Sequence, residues 1–315
     1  MAKLDDVLKG KSSVAVSGHI RPDGDCIGSC LGVYNYIKNN YPSVDVDVYL
    51  QSFSDKFNFI RYSDEVKHEK TDKIYDLFIM LDSSSLDRLG EFTDMFNNAK
   101  ETICIDHHIS NEKYAMENIV FPKASSTCEV LYGLMDEDRI DNHIAEALYM
   151  GIVHDSGAFK YSNTSAETMN IAGKLMEKGI PFTSIIDNTF YTKTYVQNQI
   201  LGRALLESVL FFDEKCIFSV VTQREMDFYN ISYKDLDGIV EQLRITKGVE
   251  CAIFMYETGE MEFKVSMRSN EIVDVSAIAT YFGGGGHIRA AGFNMKGTLY
   301  DVINNISEQL AKQLS

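Results

Sequence analysis

The stretch "SSVAVSGHIRPDGDCIGSCLGVYNYIKNNY" (12–41) changes character twice. It opens on a short β-branched run, "SSVAVSGHI" (12–20), that reads as a strand ending in polar residues. From residue 24 to 41 the spacing is helical, with Ile27, Leu31, Tyr34 and Ile37 on one face. Between the two lie His19, Asp23 and Asp25. A strand, a polar turn and an amphipathic helix form the first half of a βαβ unit.

The pattern repeats downstream. "VDVDVYL" (44–50) alternates like a strand, and "YDLFIMLD" (75–82) is nearly continuous apolar, as expected of a strand covered on both faces. "FTDMFNNA" (92–99) reads as helix and "TICID" (102–106) as another buried strand. Alternating strands and helices predict an α/β unit with a parallel sheet and helices on both faces. From residue 124 three helices are expected, in "ASSTCEVLYGLMDE", "DNHIAEALYMGIVHDSG" and "SAETMNIAGKLMEKG". "TYVQNQILGRALLESV" (194–209) reads as a connecting helix. Beyond it, the strands "CIFSVVT", "VECAIFMYE" and "MEFKVSMRS" alternate with the helices "SYKDLDGIVEQLRIT", "DVSAIATYF" and "LYDVINNISEQLAKQL", a second and smaller α/β unit. The expected division is a first domain over 1–190, a linker helix over 191–207 and a second domain over 208–315, with a cleft between the domains.

Bulk properties narrow the function. At 315 residues, 45% hydrophobic and 24% charged, the chain has the composition of an ordinary soluble protein of two domains. No run of about 18 apolar residues is present, and "MAKLDDVLKG" is too polar for a signal peptide, so a cytoplasmic protein without membrane partners is expected. The six cysteines show no CxxC spacing and read as reduced, buried small hydrophobes. A net charge of −16 opposes tight binding of long nucleic acid, because that affinity comes from Lys and Arg on phosphates. It leaves room for a short phosphorylated substrate in a local basic pocket.

The acids fall in a pattern. His19, Asp23 and Asp25 follow the first strand, Asp82 ends the strand 75–82, and Asp106, His107 and His108 end the strand 102–106. Asp155 follows the apolar helix 143–153. In open parallel sheets ligands bind at the carboxyl ends of the strands. Four carboxylates gathered there repel one another unless cations lie between them. Asp and His donors without cysteine suit octahedral Mn²⁺ or Mg²⁺ better than structural zinc. One shared carboxylate would hold two such ions roughly 3.5–4 Å apart, the spacing used for hydrolytic attack on phosphorus.

A second anomaly is "YFGGGGHIRAAGF" (281–293). Four successive glycines, Gly283, Gly284, Gly285 and Gly286, cost about 1 kcal/mol each relative to alanine inside a regular element. Their use is close approach of backbone to a ligand, with N–H groups aimed at an anion. His287 and Arg289 follow, and Arg268 ends a neighbouring strand; all three donate well to phosphate.

These stretches resemble the DHH phosphoesterase family. "GHIRPDGDCIGS" looks like its motif I, "MLDSSSLDRLG" motif II, "IDHHISN" motif III and "GIVHDSGAFKYSNTS" motif IV, while "GGGGHIRAAGF" looks like the signature of the DHHA1 domain. Nearly the whole chain is covered, in the family's order, and the arrangement is most similar to the NrnA-type nanoRNase and pAp phosphatase group. The resemblance implies a DHH catalytic domain followed by a substrate-binding DHHA1 domain. It implies one Mn²⁺ on His19, Asp23 and Asp82, and a second on Asp25, Asp82, His107 and Asp155, with Mg²⁺ or Co²⁺ as alternatives. Asp106 would orient a neighbouring ligand, and His108 would face the phosphate or leaving group. Arg268, His287 and the Gly283 to Gly286 backbone would contact substrate; Arg289 joins them on charge and position alone.

The activity so implied is two-metal hydrolysis of short oligoribonucleotides to 5′-mononucleotides, and of pAp to AMP and phosphate. Linear or cyclic dinucleotides such as pApA are the alternative substrates. A nucleotide-sensing protein without catalysis is the competing class, and a homodimer is left open.

Overall fold

The computed structural model describes residues 3–314, which divide into two compact units, one running to Thr192 and the other beginning at Lys193. The first is built on five strands: β1 (Ser13–Ser17), β2 (Asp45–Tyr49), β3 (Leu77–Leu81), β4 (Glu101–Asp106) and β5 (Glu117–Val120). All pairs are parallel and the order is β2-β1-β3-β4-β5. Because side chains alternate along a strand, each strand feeds two cores. Val14, Val16, Ile79, Leu81, Ile103 and Ile105 face a large cluster with Ile27 and Leu31 of the helix Gly24–Asn40 and Leu148 of the helix Asn142–Asp155. Ala15, Phe78 and Met80 face the other way, onto Leu89, Phe92 and the helix Thr93–Asn98. Each fully buried Leu, Ile or Phe contributes about 1.5–3 kcal/mol, so both faces are strongly specified.

Strand β5 was not expected. It is four residues long with no fully buried side chain, so it carries little hydrophobic signal; pairing with β4 from Ile103 to Asp106 holds it.

On β2 the buried Asp47 gathers Lys67 (2.5 Å), Lys73 (2.7 Å) and the Tyr75 hydroxyl (2.6 Å), and Tyr75 pairs in turn with the Tyr49 hydroxyl at 2.7 Å. Burial alone would raise the Asp47 pKa; the lysines and Tyr75 hold it down at about 2. That stabilisation is complete above the ordinary carboxylate range and is lost as pH falls from about 4 toward 2. Asp47→Asn is expected to cost about 1–2 kcal/mol at neutral pH, read in urea melts, because both lysines are partly solvated.

The second unit holds β6 (Val209–Phe211), β7 (Cys216–Val221), β8 (Cys251–Gly259), β9 (Glu262–Ser269), β10 (Gly285–His287) and β11 (Ala290–Lys296), in the order β10-β11-β9-β8-β7-β6. Only β7 and β8 run parallel; the other pairs are antiparallel. One face packs on the helices Val275–Tyr281 and Leu299–Leu314 through Ile278, Val302, Ile306 and Leu310. The other packs on Ile200 and Ala204 of the helix Tyr195–Leu206, the segment expected as a linker, and on the helix Ile239–Arg244. The single helix expected over 232–246 is instead a 3₁₀ turn, Tyr233–Leu236, and a helix, Ile239–Arg244. Gly238 breaks it with φ +83°, a conformation that L side chains disfavour. Among the described residues no helix is long and apolar enough to cross a membrane.

Candidate metal centre

In the order β2-β1-β3-β4-β5, strand order reverses between β1 and β3, and that is where such sheets open a crevice. β1 leads to His19, Asp23 and Asp25; β3 leads to Asp82. Asp82 takes a left-handed backbone, φ +53°, at only 2% exposure. A non-glycine residue held there stores roughly 1–3 kcal/mol of strain, which persists only where surroundings over-determine it. The turn swings the carboxylate into the crevice with each oxygen on a different histidine. Oδ2 lies 3.5 Å from His19 Nε2, and Oδ1 lies 3.7 Å from His107 Nε2.

The other groups arrange around these two ends. Asp23 caps the helix Gly24–Asn40 with Oδ1, which accepts from the backbone of Asp25 and Cys26, leaving Oδ2 3.7 Å from His19 Nε2. Asp155, at the last turn of the helix Asn142–Asp155, comes 3.4 Å from His107 Nε2. Asp25 joins His107 and Asp155 with donor atoms all within 4.8 Å of one another. A further triad, His19 with Cys26 and Asp82, meets the same criterion.

Asp106 stands apart from the donors. It is fully buried; Oδ1 accepts from the His107 backbone (2.8 Å) and pairs with His108 Nδ1 (2.7 Å), while Oδ2 accepts from Asn111 Nδ2 (2.7 Å). It therefore fixes the ring of His108, whose Nδ1 is also 3.8 Å from Asp82.

Two partners were invisible in the sequence. The helix Thr127–Leu134 points its N-terminus at Asp25, whose carboxylate accepts from Thr127 N (2.6 Å) and Cys128 N (3.0 Å). The Thr127 hydroxyl donates to Asp82 Oδ1 at 3.1 Å. The start of that helix was legible; its aim, set by tertiary packing, was not. Gly151 lets it approach, since a Cβ there would lie 2.2 Å from Cys128 Sγ and 2.9 Å from Asp25 Oδ1.

The electrostatics fit a cationic occupant. Burial, with Asp82 and Asp155 adding to it, pushes the Asp25 carboxyl well above its ordinary range. Burial also pushes Asp155 up to about 6, only partly offset by His107 and reinforced by Asp82 and Asp23. For His19, burial alone would lower the pKa, yet Cys26, Asp23 and Asp82 raise it to about 11. Protons thus stand where positive charge is wanted. Divalent ions bound at about 2.0–2.1 Å space adjacent donors by roughly 3 Å, close to the 3.4–3.7 Å separations found. The donor set is therefore of a kind that could hold divalent cations.

His154, beside Asp155, takes no part. Its ring packs between Phe57 and Phe190 with Nε2 buried and unpartnered, and burial lowers its pKa to about 4.

The glycine-rich segment of the second unit also has a structural part in its own sheet. Gly285–His287 is an edge strand, β10, and two of the four glycines serve the fold itself. A Cβ on Gly284 would lie 2.3 Å from Gly292 O, and one on Gly286 would lie 2.5 Å from Ala290 O. His287 is exposed, and Arg268 donates to its own chain at Met267 O. Arg289 donates to the carbonyls of Val273 (2.9 Å) and Glu271, so its guanidinium is engaged with backbone.

Comparison with known proteins bears on both units. Residues 13–152 match the DHH family N-terminal domain and residues 213–315 match the DHHA1 domain. The chain belongs to the DHH family and carries a DHHA1 domain. Among relatives of this DHH protein, the bifunctional oligoribonuclease and PAP phosphatase NrnA of Thermus thermophilus is 27% identical, over 99% of this chain and 95% of its own. The protein of the same name from Bacillus subtilis is 24% identical, over 89% and 88%. A crystal structure of an exopolyphosphatase-related protein from Bacteroides fragilis superposes with a TM-score of 0.89 at 26% identity, covering 98% of this DHH chain and 94% of that one.

Proposed function

We propose that this DHH protein is a divalent-metal phosphoesterase of the NrnA type, acting on short oligoribonucleotides and on pAp, with Mn²⁺ as its resident ion. The observation that carries the reading is Asp82, strained, buried and turned so that its two oxygens meet two different histidines. The relatives named for oligoribonuclease and PAP phosphatase activity, matched over nearly their full length, supply the substrate class.

His19, Asp23 and Asp82 would hold one cation, and Asp25, Asp82, His107 and Asp155 the other. Bound there, such ions polarise an attacking water and offset charge developing on the phosphoryl oxygens. The chain's own residues do the rest. The helix N-terminus at Thr127 and Cys128 steadies Asp25, and the Thr127 hydroxyl steadies Asp82. Asp106 occupies His108 Nδ1, which leaves Nε2 as the ring's working nitrogen. Burial alone would lower the His108 pKa and the Asp106 carboxylate on Nδ1 raises it, which favours a proton on the ring for the leaving oxygen. Arg268 and His287 supply donors suited to a substrate phosphate, which favours short substrates with an end to grip.

His108→Ala is expected to lower kcat by about 10²–10³-fold with the bound metal unchanged, read by steady-state kinetics and elemental analysis. The activity itself is tested with a panel of pAp, 5′-phosphorylated di- to pentaribonucleotides and linear and cyclic dinucleotides, each with Mn²⁺ and Mg²⁺. Release of AMP and 5′-mononucleotides supports the reading. Binding of the whole panel without product would replace it with a nucleotide sensor.

A further inference from the structure

The loop between β9 and the helix Val275–Tyr281 holds a filled anion cradle. The backbone N–H groups of Glu271, Ile272 and Val273 all point at the Glu250 carboxylate, at 3.1, 2.6 and 2.8 Å. Three successive amides converging on one anion form a nest, a geometry that elsewhere in proteins binds phosphate. Here the anion is internal: Glu250 is 9% exposed and precedes β8. The same loop is pinned beside it by Asn270, which donates to Val249 O at 2.7 Å and accepts from Arg244.

The far side of the loop is stitched to the glycine-rich segment. Arg289 donates to the carbonyls of Val273 and Glu271, the two ends of the nest. Val275 N donates to Ile288 O at 3.0 Å, Ser269 N donates to Arg289 O at 3.1 Å, and the Ser276 hydroxyl donates to Gly286 O at 3.0 Å. These contacts run from Glu250, through the loop, to the residues flanking His287. β10 itself is three exposed residues on the sheet edge, paired with β11.

We propose that Glu250 and Arg289 are positioning residues that latch the loop 270–274 onto the segment 285–289, holding His287 and its neighbouring glycine backbone in the geometry that binds the substrate phosphate. The proposal rests on the function proposed above for its kinetic consequence, but its structural core does not. It assigns Arg289 to the latch and takes it out of substrate contact. Glu250 acts at two removes, through the loop amides and then through Arg289 and Ser276.

The test compares Glu250→Gln and Arg289→Gln in the full chain loaded with Mn²⁺. Gln at 250 keeps the shape and an acceptor at the Oε1 position, where all three amides converge, but removes the negative charge that they face. Arg289 is solvent-exposed, so its replacement leaves a folded chain even where the first variant does not. With a 5′-phosphorylated diribonucleotide, each variant is expected to raise KM about tenfold with kcat within about twofold, the signature of lost uniform binding. For Glu250→Gln, turnover of bis(p-nitrophenyl) phosphate, which offers no terminal phosphate, stays at the wild-type rate. Hydrogen exchange at 285–289 speeds up in both variants. An unchanged KM in a folded variant, or unaltered exchange at 285–289, overturns the latch. If the wild-type chain hydrolyses no nucleotide, the functional reading fails by itself, and hydrogen exchange still decides the latch.

Discussion

Replacing Asp82 by alanine is expected to abolish metal-dependent hydrolysis, with a fall in kcat/KM of at least about a thousandfold, or roughly 4 kcal/mol of transition-state stabilisation. The size follows from the geometry. Among the described residues Asp82 alone has its two oxygens near both His19 and His107, so its loss would remove a donor from both proposed cation positions. Bound metal should fall from two ions per chain to one or none. The metal-free variant, by contrast, should be no less stable than the wild type and melt at an equal or higher temperature. The substitution removes one member of a buried set of like charges that raises the Asp25 and Asp155 pKa values, while His19 keeps the larger contributions of Cys26 and Asp23 to its own raised pKa. Asp82→Gly should go further, because glycine also relieves the strain of φ +53°. A site built for stability would lose it on truncation; a site built to hold cations gains when emptied and cut.

The second large effect is the coupling of metal, pH and stability. In the metal-free chain the Asp155 pKa of about 6 lies above its unfolded value, so the folded state holds more protons between about pH 4 and 6. The contribution of Asp155 is fully present below that window and is lost as pH rises through it. Asp25 shifts in the same direction and extends the loss upward. His19, raised to about 11, contributes stability that is complete below its ordinary value and declines as pH climbs toward 11. The empty centre therefore weakens the fold as pH rises. Added Mn²⁺ reverses this, because it replaces the protons and binds better as they leave. At a free concentration a thousand times the dissociation constant, one ion adds about 4 kcal/mol, or roughly 10 °C in a unit of this size. The Mn²⁺-induced shift in melting temperature should be largest at pH 7–8 and shrink steeply toward pH 5. A shift independent of pH would mean that the carboxylates are not the ligands.

Much of this was legible because the chemistry sits at strand ends. A parallel strand is an apolar run, and the polar residue that ends it is conspicuous; His19, Asp82 and the triplet 106–108 all stand there. The helix Gly24–Asn40 was equally plain, since Asp23 caps it and apolar residues recur at helical spacing. What the sequence hides is direction. Nothing in "ASSTCEV" tells that the backbone of Thr127 and Cys128 closes on Asp25, 102 and 103 residues away in the chain. Arg289 shows the same limit from the other side. Its charge and its place after His287 mark it for phosphate, and nothing in the local pattern tells that its length also lets it reach the Val273 carbonyl. A run of glycines signals room for close approach, and the pattern does not tell that at Gly284 and Gly286 the approaching chain includes β11. Local pattern reports what a residue can do, and tertiary packing selects which of those things it does.

The central claim is that Asp82 joins two cation positions. Electron paramagnetic resonance of the Mn²⁺-loaded chain reads this directly, because two Mn²⁺ ions sharing a carboxylate couple magnetically. The account predicts two ions per chain and an exchange-coupled spectrum that is lost in Asp82→Ala. A single ion per chain with the six-line signal of isolated Mn²⁺, unchanged by that substitution, would contradict it.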